Sequence, residues 1–124
     1  MRTTIAASIS RGETWMATVA DRVVGTVALD EHTAPGLWTA AEEAEPARYV
    51  HRLIIARRAA GCGVGAVILA WCVDRARDAG CRWLRADVWT GNRGLHDYYL
   101  RLGWQQVRTV VSDYPSGALF QLRL

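Results

Sequence analysis

The amino-acid sequence predicts a single domain of the α/β or α+β class, a mixed sheet carrying helices. Three observations predict it. Two extended runs near the start are joined by a short turn, a strand–helix–strand unit occupies the middle, and two more extended runs close the chain. At 124 residues the length fits one domain with enough apolar content for a core. No internal repeat or low-complexity tract interrupts it.

In chain order, TWMATVA (residues 14–20) and VVGTVALD (23–30) are Val- and Thr-rich and flank Asp21-Arg22, which reads as an antiparallel hairpin. Residues 31–47 (EHTAPGLWTAAEEAEPA) are polar with two prolines, and predict a long loop holding at most a short helix; Glu42, Glu43 and Glu45 read as a solvated face. YVHRLIIA (49–56) is a strand. Residues 64–79 predict a helix, with Ile68, Leu69, Cys72, Val73 and Ala76 on one apolar face and Gly80 just past its end. CRWLRADVW is the next strand, and strand–helix–strand in this order predicts a right-handed parallel unit. After TGNRG, a helix over 95–102 places Leu95, Tyr98, Tyr99 and Leu102 on one face. WQQVRTVV and ALFQLRL, linked by the turn-rich SDYPSG, are closing strands.

Composition excludes several classes. No run of 18 apolar residues spans a membrane, and MRTTIAASISRGE lacks the apolar core of a signal peptide, so a cytoplasmic protein is expected. Cys62, Cys72 and Cys81 fit no zinc spacing and read as reduced thiols; no metal is expected. All 15 basic residues are arginine, and the net charge is +3. The arginines are scattered rather than striped, which argues against a nucleic-acid module, and no membrane partner is expected.

The chemistry begins at RRAAGCGVGAVILAW (57–71), where Gly61, Gly63 and Gly65 open a helix. Successive backbone N–H groups in such a loop form a concavity for a phosphate, and the helix dipole favours negative charge by about 0.3–2 kcal/mol. Three cofactor classes use loops of this kind. Gly61-x-Gly63-x-x-Ala66 fits a relaxed dinucleotide fingerprint, with Asp87 roughly twenty residues beyond. GCGVG also resembles the loop of methyltransferases that use S-adenosylmethionine. Both want the strand to run directly into the first glycine and an upstream architecture unlike this hairpin; here residues 57–60 intervene. A Walker loop is excluded because no Gly-Lys-Ser/Thr follows. The third class has a strand, a short basic linker, G-x-G-x-G and a helix, and binds a pyrophosphate.

The downstream text favours the third. HRLIIARRAAGCGVGAVILAWCVDRARDAG, then WLRADVWTGN, then LHDYYLRLGW resemble, in order and spacing, the GNAT superfamily of N-acyltransferases over residues 49–104. That resemblance implies a mostly antiparallel mixed sheet with a parallel strand–helix–strand unit at the cofactor site. It also implies acetyl-CoA as co-substrate and direct attack by an amine of a small molecule or peptide. Ala60 stands where the family has Arg or Gln, Trp104 replaces the usual Phe, and most of the front-end strand and two helices are absent. Residues 1–11 are expected to supply only the end of the second helix, and a homodimer to supply the missing wall.

By the resemblance, the pyrophosphate lies on the backbone of Ala60, Gly61, Cys62, Gly63, Val64, Gly65 and Ala66, with Arg57 and Arg58 as phosphate contacts or solvated charges. The pantetheine arm enters between the strands near Ile55 and Val88, and the Ile55 amide or its neighbour polarises the acyl carbonyl. Tyr99 holds the family's tyrosine position and protonates the departing thiolate, while Tyr98 reads as core. Asn92 contacts the pantetheine, caps the helix, or does both. His51 is the candidate base, placed on the same strand face as Ile55 by two-residue alternation. His32 and His96 read as surface residues. Trp71, Trp83 and Trp104 read as core or interface, whereas Trp15, Trp38 and Trp89 are positioned to edge an acceptor pocket. The rival class is a non-catalytic acyl-CoA-binding or regulatory domain.

Overall fold

The computed structural model describes residues 4–7 and 14–124. Its elements run β1 (Thr4–Ala7), β2 (Thr14–Val19), β3 (Arg22–Asp30), α1 (Ala40–Glu43), β4 (Ala47–Ile55), α2 (Val64–Asp78), β5 (Trp83–Val88), α3 (Arg93–Arg101), β6 (Gln105–Thr109) and β7 (Ala118–Arg123). A 3₁₀ turn over Arg57–Ala59 precedes α2. One seven-stranded sheet has the order β1-β2-β3-β4-β5-β7-β6. Every pair is antiparallel except β4–β5, so the mixed sheet with one parallel strand–helix–strand unit is present as expected.

The hairpin turn is Ala20-Asp21, one residue earlier than expected. Both residues have positive φ (51° and 64°), the twist-matched two-residue turn, and Arg22 pairs with Val19. The end of a helix expected within residues 1–11 is corrected where it can be seen: Thr4–Ala7 is a strand paired with β2. The remainder of that expectation lies outside the described residues.

Helices α2 and α3 pack on one sheet face. Ile68, Leu69, Cys72 and Ala76 of α2 meet Val27, Leu29, Val50, Leu84 and Ala86 of the strands. The buried stripe of α3 is His96 and Tyr99, with Leu95 and Tyr98 beside it; Leu102, expected on this face, is the exposed C-cap. His96 is corrected from surface to interior. Its Nε2 lies 2.9 Å from the Trp89 carbonyl oxygen and its ring packs on Phe120.

The opposite face is covered by residues 31–46, which bring Leu37 and Trp38 onto Ala47, Tyr49 and Leu119. Thr39 and Glu42 close a reciprocal capping box on α1. Glu42 and Glu45 are corrected from a solvated face to structural anions. Glu42 takes two hydrogen bonds from Arg108 (2.8 and 2.7 Å), which hold its carboxyl at about 2 against an ordinary 4.5. Glu45 accepts from Arg85 and from the Trp83 indole (3.0 and 2.9 Å). Arg85 is fully buried, donates also to Tyr49 and to the Glu42 carbonyl, and sits over the Trp38 ring. A buried guanidinium needs this many acceptors, because stranding one costs several kcal/mol, of order 3–5.

Candidate active site

The site follows from how β4 ends. It pairs with β5 only from Ala47↔Trp83 to Val50↔Ala86. Beyond Val50, β4 stays with β3 as far as Gly25↔Ile55, while β5 stays with β7 to Val88↔Ala118. The two parallel strands therefore part and open a wedge-shaped cleft of about 830 Å³. The parting coincides with a β-bulge. Arg52 has φ 50°, and the β3–β4 register shifts between Thr26 and Ala28.

The bulge overturns one expectation. His51 pairs with Ala28 and Ile55 with Gly25, and positions 28 and 25 lie on opposite faces of β3. His51 and Ile55 therefore do not share a face: the extra residue inverts the alternation. Ile55 packs among the helices' contacts, whereas His51 faces the other side and still lines the cleft. The Ala56 amide donates to the Val24 carbonyl (2.8 Å), so by strand alternation the Ile55 amide points away from β3, toward the opening.

The glycine loop follows β4 after Ala56, the 3₁₀ turn over Arg57–Ala59 and Ala60. Gly61 and Gly63 have φ of 78° and 76°, which an L side chain rarely adopts, and Gly63 starts α2 with no side-chain cap. The Val67 amide donates to the Gly63 carbonyl, so the amides of Val64, Gly65 and Ala66 precede the first intrahelical bond and lack a helical partner. No acidic residue occupies this first turn. The Ala60 and Cys62 amides, in contrast, are engaged within the loop by the Arg57 and Ala59 carbonyls. Arg58 donates to the Val23 carbonyl on β3, and Arg57 is exposed. Gly65 also makes room for α3: a Cβ there would stand 2.9 Å from the Tyr98 hydroxyl.

Tyr99, Asn92 and His51 line one cleft. Tyr99 is 3% exposed, stacked on Phe120 and edge-on to Trp104, and burial raises its phenol well above the ordinary range, so the proton stays on. Asn92 is the α3 N-cap, its Oδ1 accepting from the Leu95 amide at 3.1 Å. His51 Nε2 lies 2.7 Å from the His32 carbonyl oxygen and 3.1 Å from Asp30 Oδ1. Both partners are acceptors, so Nε2 carries the hydrogen and the neutral ring keeps its lone pair on Nδ1.

Three cleft residues escaped the sequence. Asp30 ends β3; Asp87 entered only as a candidate ribose ligand of the dinucleotide class; Tyr114 sits in the 112–117 turn, where no pattern announces a partner. Asp87 Oδ1 is 3.7 Å from His51 Nδ1, and its Oδ2 accepts from the Tyr114 hydroxyl at 3.1 Å. Burial raises the Asp87 carboxyl, against the Tyr114 hydrogen bond and the nearby His51, which lower it. Of the three tryptophans expected to edge a pocket, only Trp89 lines this cleft. Trp15 packs on Trp71 under the Arg75 guanidinium, and Trp38 is buried by Arg85. Among the described residues no group of three potential ligands gathers for a metal, and no helix is long and apolar enough to cross a membrane.

Known proteins agree with this architecture. The Acetyltransferase (GNAT) family model matches residues 3–104. A curated relative, an uncharacterized N-acetyltransferase (YesJ) of Bacillus subtilis, is 33% identical over 70 residues, covering 56% of this chain and 39% of the relative. A GNAT-family acetyltransferase from Listeria monocytogenes superposes with a TM-score of 0.74 at 20% identity, over 91% of this chain and 65% of that one. The GNAT domain of PAT from S. lividans gives 0.68 at 22% identity, over 90% and 60%. The chain thus spans about two-fifths of the curated relative's length. With the cleft, the glycine loop and a family match over most of its residues, the chain belongs to the GNAT acetyltransferase family.

Proposed function

We propose that the protein is an acetyl-CoA-dependent N-acetyltransferase, moving the acetyl group to a primary amine of a small molecule or peptide by direct attack. The observation that carries this reading is the parting of β4 from β5 beside an uncapped, glycine-rich helix start. The fit to the co-substrate is chemical. Amides of Val64, Gly65 and Ala66, with the left-handed glycines before them, suit a diphosphate; the opening suits an extended amide-bearing arm, which offers donors and acceptors to unpaired strand edges. The co-substrate supplies an activated thioester.

The chain's own residues then do the following. The Ile55 amide donates to the thioester carbonyl and stabilises the charge that develops there. Asn92, whose Oδ1 is held by the helix cap, keeps its NH₂ for the arm. His51 takes a proton from the incoming amine at Nδ1, and Tyr99, which stays protonated, donates toward the leaving sulfur. His51 and Tyr99 reach the cleft from opposite sheet faces, so base and acid are kept apart.

Calorimetry with acetyl-CoA followed by a thiol-release assay over an amine panel tests the reading. Binding with amine-dependent thiol release is expected. Binding with no release on any amine would instead assign a non-catalytic acyl-CoA-binding domain.

A further inference from the structure

The cleft sets two potential acceptor atoms, His51 Nδ1 and Asp87 Oδ1, face to face at 3.7 Å. His51 Nε2 is committed as a donor to the His32 carbonyl and Asp30 Oδ1, so in the neutral ring the lone pair is on Nδ1, which faces Asp87. The Nδ1···Oδ1 distance of 3.7 Å is too long for a hydrogen bond, and a lone pair set against a carboxylate oxygen attracts nothing by itself. One cationic nitrogen bearing two or more hydrogens satisfies both atoms at once, since acceptors this far apart can each take an N–H from the same nitrogen. The Asp87 side chain is 7% exposed and that of His51 23%, so the notch is sheltered yet opens on the cleft.

We propose that this notch is the subsite for the acceptor's ammonium group, with Asp87 a substrate-binding residue and Tyr114 a positioning residue. The inference rests on the reading of the protein as an N-acetyltransferase, and adds which atoms hold the nitrogen and which amines qualify. Tyr114 donates to Asp87 Oδ2 and leaves Oδ1 to the ligand. Asp87 holds the cation; Nδ1 accepts one of its protons, giving a neutral amine and a His51 imidazolium beside the Asp87 carboxylate. A primary or secondary ammonium provides the two hydrogens required, and a quaternary ammonium provides none. The charged and titratable groups around the notch are Asp30 on β3, Arg52 next to His51 on β4, Tyr99 on α3 and Tyr114 from the β6–β7 loop; Leu119 of β7 pairs with Asp87. Binding needs the Asp87 carboxylate, which burial makes harder to ionise, so affinity falls as pH drops through its raised value.

The test is nitrogen NMR of ¹⁵N-histidine-labelled protein, without acetyl-CoA, titrated with n-butylammonium and separately with butyltrimethylammonium. The primary cation should move the His51 Nδ1 resonance and the quaternary one should not. Asp87→Asn should weaken the response by about tenfold or more, and Tyr114→Phe by about threefold, through the partly freed carboxylate. Equal responses to the two cations, or an Asp87→Asn protein that binds butylammonium as tightly as its parent, would overturn the subsite. Loss of thiol release on every amine, with the NMR response intact, would instead remove the enzymatic reading and leave the ammonium site standing.

Discussion

Tyr99 keeps its phenolic proton because its ring is enclosed by Phe120 and Trp104, and it lines the cleft that also holds His51. A group that remains protonated at every ordinary pH serves as a donor and not as a base. Tyr99→Phe should therefore lower turnover by about 10²–10⁴-fold with little change in acetyl-CoA affinity, read by steady-state kinetics beside calorimetry. Unchanged turnover would remove Tyr99 from the mechanism. His51→Ala should reduce activity most at acidic pH, where the amine is hardest to deprotonate, and a pH–rate profile parallel to that of the parent would clear His51 of the base role. At this scale the legible residues were those with a fixed place in a linear motif. Tyr99 and Asn92 were placed by counting from Leu102-Gly103 and from the strand before them. Asp30 and Tyr114 were not, because the approach of Asp30 to His51 and of Tyr114 to Asp87 arises from pairing and loop closure between segments distant in sequence.

The bulge at Arg52 is the element on which the site turns. It carries β4 along β3, frees its other edge, and sends His51 and Ile55 to opposite faces. A two-residue period has no term for an inserted residue, which is why alternation placed the two side chains together. Arg52 has a backbone conformation that costs a non-glycine residue of order 1 kcal/mol, so Arg52→Gly should leave stability unchanged or raise it by up to ~1 kcal/mol while amine acetylation persists. Denaturant unfolding checks it; a glycine variant destabilised by more than that would show that the arginine side chain, not the backbone, holds the bulge. The strands and helices themselves were legible because their apolar spacing is dictated by one-sided burial. The short helix α1 was legible within its loop, but the ion pairs of Glu42 and Glu45 were not, since an acidic cluster reads the same whether it faces water or Arg85 and Arg108.

Over the whole molecule, the sheet is clamped on one face by α2 and α3 and on the other by the 31–46 segment pinned through Glu42–Arg108 and Glu45–Arg85. The Glu42 carboxyl sits near 2 in the fold against an ordinary 4.5, so its contribution is complete above the ordinary value and fades as pH falls from there through about 2. Glu42→Gln should cost about 1–2 kcal/mol at neutral pH, a difference that narrows toward pH ~2 in denaturant titrations. A difference independent of pH would mean that packing, not charge, ties the segment down. The clamp leaves the β4–β5 opening free between the two faces, and the proposed activity depends on what enters it. The most direct measurement is a crystal structure with coenzyme A. A diphosphate on the amides at the start of α2 and an arm lying between β4 and β5 are expected; an empty opening with the ligand elsewhere, or no binding at all, would rule out this cleft as the acetyl-CoA site.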